Sequence, residues 1–448
     1  MTIEEFGRAF RARTITSEEA TQACLASIHA GNPDLHAFTL VLSDEALQQA
    51  RNADRELSEG HDRGPLHGVP ISIKDLIDVR GTPTTAASAV RVSAPPAPDD
   101  APVVAHLRAA GAVFVGKTNL HEFALGTTSE DTVFGAVKNP LDTSRSAGGS
   151  SGGSAVSVVA GMALGSVGTD TGGSIRIPAS SCGIVGLKPS YGEIATDGVI
   201  PLSPRLDHVG PLATSVADAW TLFRVLAGEL HPAPLAPMAP NDVRLKVLRP
   251  YFCDLLDDEV RRRFEEALDA FRSAGMRVTE AAIQHADTIP AVYLKIAPRE
   301  AFLYHAAVLN TLPEKYTPPV RQRLEFGRTI SNEDFLKALD DQAQLRDEVD
   351  AVLADCDALV LPTMPTVATK LGTETVAIGT TQQPLRNMTL RETQLFNLTG
   401  HPAISLPCGT TREGLPCGLQ LAGAHGRTDV LVRVALACET QLAPRETR

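Results

Sequence analysis

The sequence predicts an α/β fold, a sheet with helices packed on its faces, and three observations carry that reading. From Pro65 onward, short apolar strands, glycine turns and helical stretches alternate, the rhythm of a sheet whose strands are joined by covering helices. Residues 1–60 read as helix, and so does most of a charged amphipathic stretch from about 245 to 350. The strands that return after residue 355 are too few and short to bury themselves, so they are expected to rejoin the first sheet.

Taken in order, Thr16 and Glu19 fit a capping box that opens a helix ending near Gly31. Ser43 caps a second helix running to about Gly60. Val69–Ile73 reads as a strand leading directly into Lys74-Asp75. Asp100-Ala101-Pro102 marks a helix start and Gly111 its end, after which Ala112–Val115 reads as a buried strand. The run from His231 to Pro240, with its prolines, suits an ordered connector. Asp257–Ala274 is an amphipathic helix, Ala358–Leu361, Ala403–Leu406 and Gly418–Leu421 are strands, and Thr428–Gln441 is a final helix. Trp220, the only tryptophan, sits on an expected helix as a core residue.

Composition narrows the function. The 448 residues are 43% hydrophobic, enough for a large core, and the net charge of −12 disfavours a surface that grips nucleic acid or anionic membranes. Glu4 and Glu5 stand where a signal peptide carries bases, and no run of apolar residues is long enough for a membrane span. A cytoplasmic protein is expected. Seven cysteines without a C-x-x-C pair make a poor disulfide framework, and the histidines show no metal-ligand spacing. No metal and no cofactor are expected. Cys182 has no base among its sequence neighbours and is a weak candidate nucleophile.

The most unusual stretch is Gly148-Gly149-Ser150-Ser151-Gly152-Gly153-Ser154, an apolar run, and then Gly168-Thr169-Asp170-Thr171-Gly172-Gly173-Ser174. A flexible linker fits poorly, because Ala155–Ala163 between the clusters is apolar and helix-compatible. A phosphate loop would need Lys followed by Ser or Thr after its last glycine, where this chain has Ser154-Ala155. Gly148, Ser150 and Gly152 match the G-x-S-x-G nucleophile elbow, which would make Ser150 the nucleophile with His208, His401 or His425 as base. Against this, Leu141–Arg145 before it is polar, whereas an elbow follows a buried strand. A fourth reading joins both clusters: the N–H groups of Thr171, Gly172, Gly173 and Ser174 converge as an oxyanion receptor, with Ser174 as the attacking group.

Those two clusters, with Gly68-Val69-Pro70-Ile71-Ser72-Ile73-Lys74-Asp75 upstream, resemble the amidase signature hydrolases. The resemblance includes the spacing of 24 positions between Ser150 and Ser174. It extends through Gly116-Lys117-Thr118-Asn119, Gly186-Leu187-Lys188-Pro189 and Val209-Gly210-Pro211 to Asn397-Leu398-Thr399-Gly400 and Gly414–Gln420. It implies one domain over 1–448, with a central mixed β-sheet covered by helices on both faces. N-terminal helices would occupy 1–60, the catalytic core 61–230 and 355–448, and a mostly helical insertion or cap 240–350. It also assigns Ser174 as nucleophile, Ser150 as bridging serine after a cis Gly149–Ser150 peptide, and Lys74 as the base. Thr171, Gly172 and Gly173 become oxyanion-hole donors, and Ser151, Asp170 and Arg176 supporting groups.

A lysine is a base only when neutral, so the fold must lower its pKa by burial or by cationic neighbours. The apolar strand before Lys74 can supply burial; without the serine clusters, Lys74 would read as an ion-paired lysine at a strand end. The implied reaction is amide cleavage through an acyl-enzyme on Ser174, on aliphatic or aryl amides or on carbamates such as urethanes, with esterase side activity. The expected substrate is a small molecule, handled by a monomer or homodimer without nucleic acid or membrane. The alternative is the glutaminase component of a tRNA-dependent amidotransferase, which typically has a tyrosine-rich stretch where Phe326–Phe335 contains no tyrosine.

Overall fold

The computed structural model describes residues 1–442, and an eleven-stranded sheet runs through its centre. Its strands are β1 (Phe38–Val41), β2 (Pro70–Lys74), β3 (Val113–Thr118), β4 (Gly165–Asp170), β5 (Val185–Lys188) and β6 (His208–Ala213). They continue with β7 (Arg244–Leu248), β8 (Arg277–Ala281), β9 (Ala358–Pro362), β10 (Ala403–Thr410) and β11 (Pro416–Ala422). The order across the sheet is β1-β3-β2-β4-β6-β5-β10-β11-β9-β7-β8. β2 lies parallel to β3 and β4, the middle pairings from β4 to β9 are antiparallel, and β9, β7 and β8 are parallel again. The sheet is therefore mixed, as the resemblance implies. The C-terminal strands do rejoin it: Ala403 on β10 pairs with Lys188 on β5.

Alternation along the strands shows that both faces are covered. On β3, Phe114 packs into one core while Val113 and Val115 pack into another. On β9, Ala358 and Val360 face the first core and Leu359 and Leu361 a third. The helices that supply the cover are α1 (Ile3–Arg11), α2 (Ser17–Leu35), α3 (Ser43–Ser58), α4 (Pro102–Ala109), α5 (Gly152–Val159), α6 (Arg176–Cys182) and α7 (Val216–Leu226). They are followed by α8 (Asp258–Ser273), α9 (Ile289–Thr311), α10 (Pro318–Thr329), α11 (Asn332–Leu353), α12 (Leu385–Leu390), α13 (Gln394–Leu398) and α14 (Thr428–Leu442).

Most sequence boundaries fall within a few residues of these, and the departures have physical causes. The Thr16–Glu19 capping box opens α2 as expected, but the helix passes Gly31 and ends at Leu35. A Cβ at Gly31 would lie 2.6 Å from Met162 Cε, so that glycine marks close packing and not a stop. Ser43 is the first residue of α3, without a side-chain cap bond. Strand β1 falls inside the stretch read as helix; only four residues long, it is held by pairing to β3. The 240–350 segment is chiefly helical and also adds β7 and β8 to the edge of the sheet. The connector before it is pinned by Trp220 Nε1 donating to Ala233 O at 3.0 Å and Met238 N–H donating to Arg433 O at 3.0 Å. All seven cysteines are buried and unpaired. Among the described residues no helix is long and apolar enough to cross a membrane.

Candidate active site

Lys74 is the last residue of β2, and Thr169 lies near the end of β4 beside it. Ser150 and Ser151 occupy the loop that enters α5, whose first helical residues are Gly152 and Gly153. This meeting of two parallel strand ends with a helix start brings four polar side chains to one point. Lys74 Nζ lies 2.8 Å from Ser150 Oγ, 2.9 Å from Ser151 Oγ and 2.7 Å from Thr169 Oγ1. Lys74 is completely buried and faces three hydroxyls with no carboxylate in contact. Burial pushes its amine down to about 7, against the more distant charges of Asp170 and Asp207, which raise it.

Counting protons shows how a neutral amine fits. The Ser151 hydroxyl donates to Thr169 O at 3.1 Å, so Ser151 Oγ accepts from Lys74. Thr169 Oγ1 can take the second amine hydrogen. Ser150 Oγ has no other hydrogen-bond partner among the described residues, so it is the hydroxyl that meets the amine's lone pair when Lys74 is neutral.

The Gly149–Ser150 peptide is cis. Ser150 O accepts from the Ser129 hydroxyl at 3.1 Å and the His121 N–H at 3.1 Å. A Cβ at Gly149 would lie 2.7 Å from Ser129 N, so the turn has no room for a side chain. Ser151 N–H donates to Ser174 O at 3.2 Å, which places Ser174 alongside the pair. Ser174 is 6% exposed, whereas Lys74 and Ser150 are fully buried. The Ser174 hydroxyl forms no hydrogen bond with the described residues, Ser150 included, a looseness common in sites without substrate.

The turn from Thr171 to Ser174 requires one correction to the sequence reading. Gly173 N–H donates to Asp170 Oδ1 at 2.7 Å, so a buried carboxylate has taken a donor expected to face an oxyanion. The N–H groups of Thr171, Gly172 and Ser174 have no partner among the described residues. Gly173 has φ +135°, and a Cβ there would meet Thr393 Oγ1 at 2.3 Å. The Thr171 hydroxyl donates to Asp207 at 2.5 Å, and burial pushes the Asp207 carboxyl up to about 6.

Asp170 and Arg176 form the frame beneath this turn. Both are fully buried, and Arg176 reaches Asp170 through Nε at 3.0 Å and Nη2 at 3.0 Å. Burial alone would raise the Asp170 carboxyl, but Arg176, Lys188 and Asn397 hold it well below the usual carboxylate range. Arg176 also donates to Thr393 O, Gln420 Oε1 and Asn397 Oδ1. The two halves of the chain are thus tied together under the turn. The sequence does not single out Thr169, Asp207, Thr393, Asn397 and Gln420 as site residues; Thr169 lies in the second glycine cluster, and Asp207, Asn397 and Gln420 lie within motifs that only the family likeness marks.

Neither His208 nor His401 stands as a base beside Ser150. His208 Nδ1 lies 2.7 Å from Leu206 O, and His401 sits between Asp350 and Thr399. Neither touches Ser150, whose one side-chain partner is Lys74. Cys182 faces Ala147 O, and burial pushes its thiol up to about 12.

A buried Lys74–Ser150–Ser151 cluster thus lies beside the glycine turn of Ser174 at the strand ends of a mixed sheet. The amidase family model matches residues 19–432, and the chain belongs to that family as a hydrolase of C–N amide bonds. It is 36% identical to a glutamyl-tRNA(Gln) amidotransferase subunit from Koribacter versatilis (strain Ellin345), over 99% of this chain and 98% of that relative. Among solved structures, one described as an amidase superimposes with a TM-score of 0.93 at 37% identity, covering 98% of this chain and all (100%) of that one. A glutamyl-tRNA(Gln) amidotransferase subunit from Thermotoga maritima superimposes at 0.78 with 31% identity, covering 97% and 93%. The expectation of a small-molecule substrate and no nucleic acid does not stand, because relatives matching end to end are subunits of an enzyme named for a glutamyl-tRNA. Net negative charge disfavours a wholly basic surface; it says nothing of a subunit whose partners supply the contact.

Proposed function

We propose that this chain is the amide-hydrolysing subunit of a tRNA-dependent amidotransferase, releasing ammonia from the side-chain carboxamide of glutamine. Its end-to-end likeness to the Koribacter versatilis protein supports this reading. The observation that carries the chemistry is the sealed Lys74 amine, its pKa brought down to about 7 and its nitrogen 2.8 Å from Ser150 Oγ. Neutral Lys74 accepts the Ser150 proton while Ser150 accepts the proton of Ser174, and Ser174 Oγ bonds to the carboxamide carbon. The oxyanion lies on the free N–H groups of Thr171, Gly172 and Ser174; each such donor typically contributes about 2.7–4 kcal/mol. The protons return by the same path to the leaving nitrogen, ammonia departs, and water repeats the attack to release the acid.

A second reading, hydrolysis of other carboxamides or carbamates with esterase side activity, is favoured by two observations. Superposition on the solved amidase is closer than on the Thermotoga maritima protein, and Phe326–Phe335 lacks tyrosine. The two are separated by ammonia release from glutamine, alongside a panel of anilides and carbamates, and by co-purification from the native host. Glutamine hydrolysis with partner subunits supports the first reading; anilide or carbamate turnover with inert glutamine overturns it.

A further inference from the structure

The carbonyl of Ser150 hangs from a segment that the helical insertion grips at several points. The His121 N–H and the Ser129 hydroxyl hold Ser150 O, each at 3.1 Å. His121 Nε2 in turn lies 3.2 Å from Arg323 Nη1 on α10 and 3.0 Å from Asp131 Oδ2. Arg323 Nη1 also donates to Leu125 O at 2.6 Å. Between these contacts the Phe123 ring packs 4.3 Å from the ring of His305 on α9 and 5.7 Å from that of Tyr316, centroid to centroid. Phe123 and Ala124 have φ of +50° and +59°, and Ser129 has φ of +57°. Non-glycine residues stay in this left-handed region only where their surroundings impose it.

Glu122, next to His121, supplies the most directional of these ties. It is fully buried, and one carboxylate oxygen accepts from the Thr317 N–H at 2.8 Å and from the Thr317 hydroxyl at 2.6 Å. The other accepts from the Ser88 hydroxyl. Thr317 is the N-cap of α10, and its hydroxyl, given to Glu122, makes no cap bond in its own helix. A carboxylate at that end also suits the helix dipole. Burying a carboxylate is costly, and an apolar contact would hold α10 against the core at less cost. What the carboxylate adds is direction, since it sets two donors at the head of α10 at fixed distances from the residue beside His121.

We propose that Glu122 is a positioning residue for the bridging serine: it fastens the helical insertion to the 121–129 segment, so that His121 and Ser129 hold Ser150 with its Oγ 2.8 Å from Lys74 Nζ. The insertion then acts on turnover through Ser150 and not through the fold alone. This rests on the relay proposed above, in which Ser150 passes the proton, and it is independent of which amide is cleaved.

The test follows phosphonylation of Ser174 by a fluorophosphonate, read by intact mass over a range of reagent concentrations, in the full chain and in Glu122→Ala, Glu122→Gln and Thr317→Val. The limiting rate reports the readiness of the serine, the half-saturating concentration reports reagent binding, and the final labelled fraction counts folded sites. Glu122→Ala is expected to lower the limiting rate about tenfold or more, with half-saturation within about twofold of the parent. Glu122→Gln keeps an acceptor for Thr317 and can donate to Ser88, so its rate should return to within about threefold of the parent. Thr317→Val, which keeps the N–H and loses the hydroxyl, should slow labelling about threefold, and it carries the test if Glu122→Ala fails to fold. A merely structural role lowers the labelled fraction and leaves the rate of the folded sites alone. An unchanged limiting rate in Glu122→Ala or Thr317→Val, or a glutamine variant as slow as the alanine one, overturns the inference. A parent chain labelled elsewhere than at Ser174 would refute the relay itself, an outcome distinct from variants that label Ser174 at the parental rate.

Discussion

Replacing Lys74 by methionine should abolish turnover and at the same time make the folded protein more stable at neutral pH. The amine is carried from its usual 10.5 to about 7 by burial. At about 1.4 kcal/mol per decade, confining it in the fold costs about 5 kcal/mol when it is protonated. The direction follows from the proton balance. Between pH 7 and 10.5 the unfolded chain keeps this proton and the folded chain releases it, so stability rises with pH across that window and the penalty is complete below it. Methionine fills a similar volume without charge, but leaves the hydroxyls of Ser150, Ser151 and Thr169 without their lysine partner, at roughly 1 kcal/mol each. The net expectation is a gain of about 1–3 kcal/mol at pH 7, shrinking or reversing by pH 10. Guanidinium unfolding of both proteins at pH 7 and pH 10 measures it. A Lys74→Met chain less stable than the parent at pH 7, or a stability difference that ignores pH, would refute the argument that burial keeps this amine neutral.

Other consequences are open to test. In the proposed mechanism the neutral amine is the active form, so kcat/KM should rise with pH through about 7, by about tenfold between pH 6 and pH 8. Asp207→Asn removes a charge that raises Lys74, so the same limb should move to lower pH in that variant. A fluorophosphonate should add to the intact protein and to Ser150→Ala slowly, but not to Ser174→Ala, as read by intact mass; labelling at Ser150 would restore the nucleophile-elbow reading. Arg176→Met leaves Asp170 as an unpaired buried carboxylate and should lower stability by about 3–5 kcal/mol in denaturant titration. His401→Gln should keep kcat/KM within a few-fold of the parent, since His401 contacts Asp350 and Thr399 and not the serines.

The legible parts of this chain were those where one local rule decides. Thr16 and Glu19 announced a helix start because their mutual hydrogen bonds are local. Lys74, Ser150 and Ser174 could be nominated because their glycine-rich surroundings have few other uses, and because the spacing resembles a family. What stayed hidden depends on residues far apart in the chain. Thr169 reads as a strand threonine until β2 and β4 pair, and Gln420 reads as a polar residue in a buried strand until Arg176 is found against it. The commitment of the Gly173 N–H to Asp170 was equally invisible, because composition reports which donors exist and not where each one points.

The proposed mechanism requires Lys74 to be uncharged in the resting enzyme. Proton-detected carbon NMR of the lysine side chains, with Lys74 assigned by its loss in Lys74→Met, follows that ionisation directly. An Nζ-linked shift that titrates near pH 7 is the expected result; a Lys74 signal unchanged from pH 6 to pH 9 that titrates close to the usual lysine value of 10.5 would contradict it.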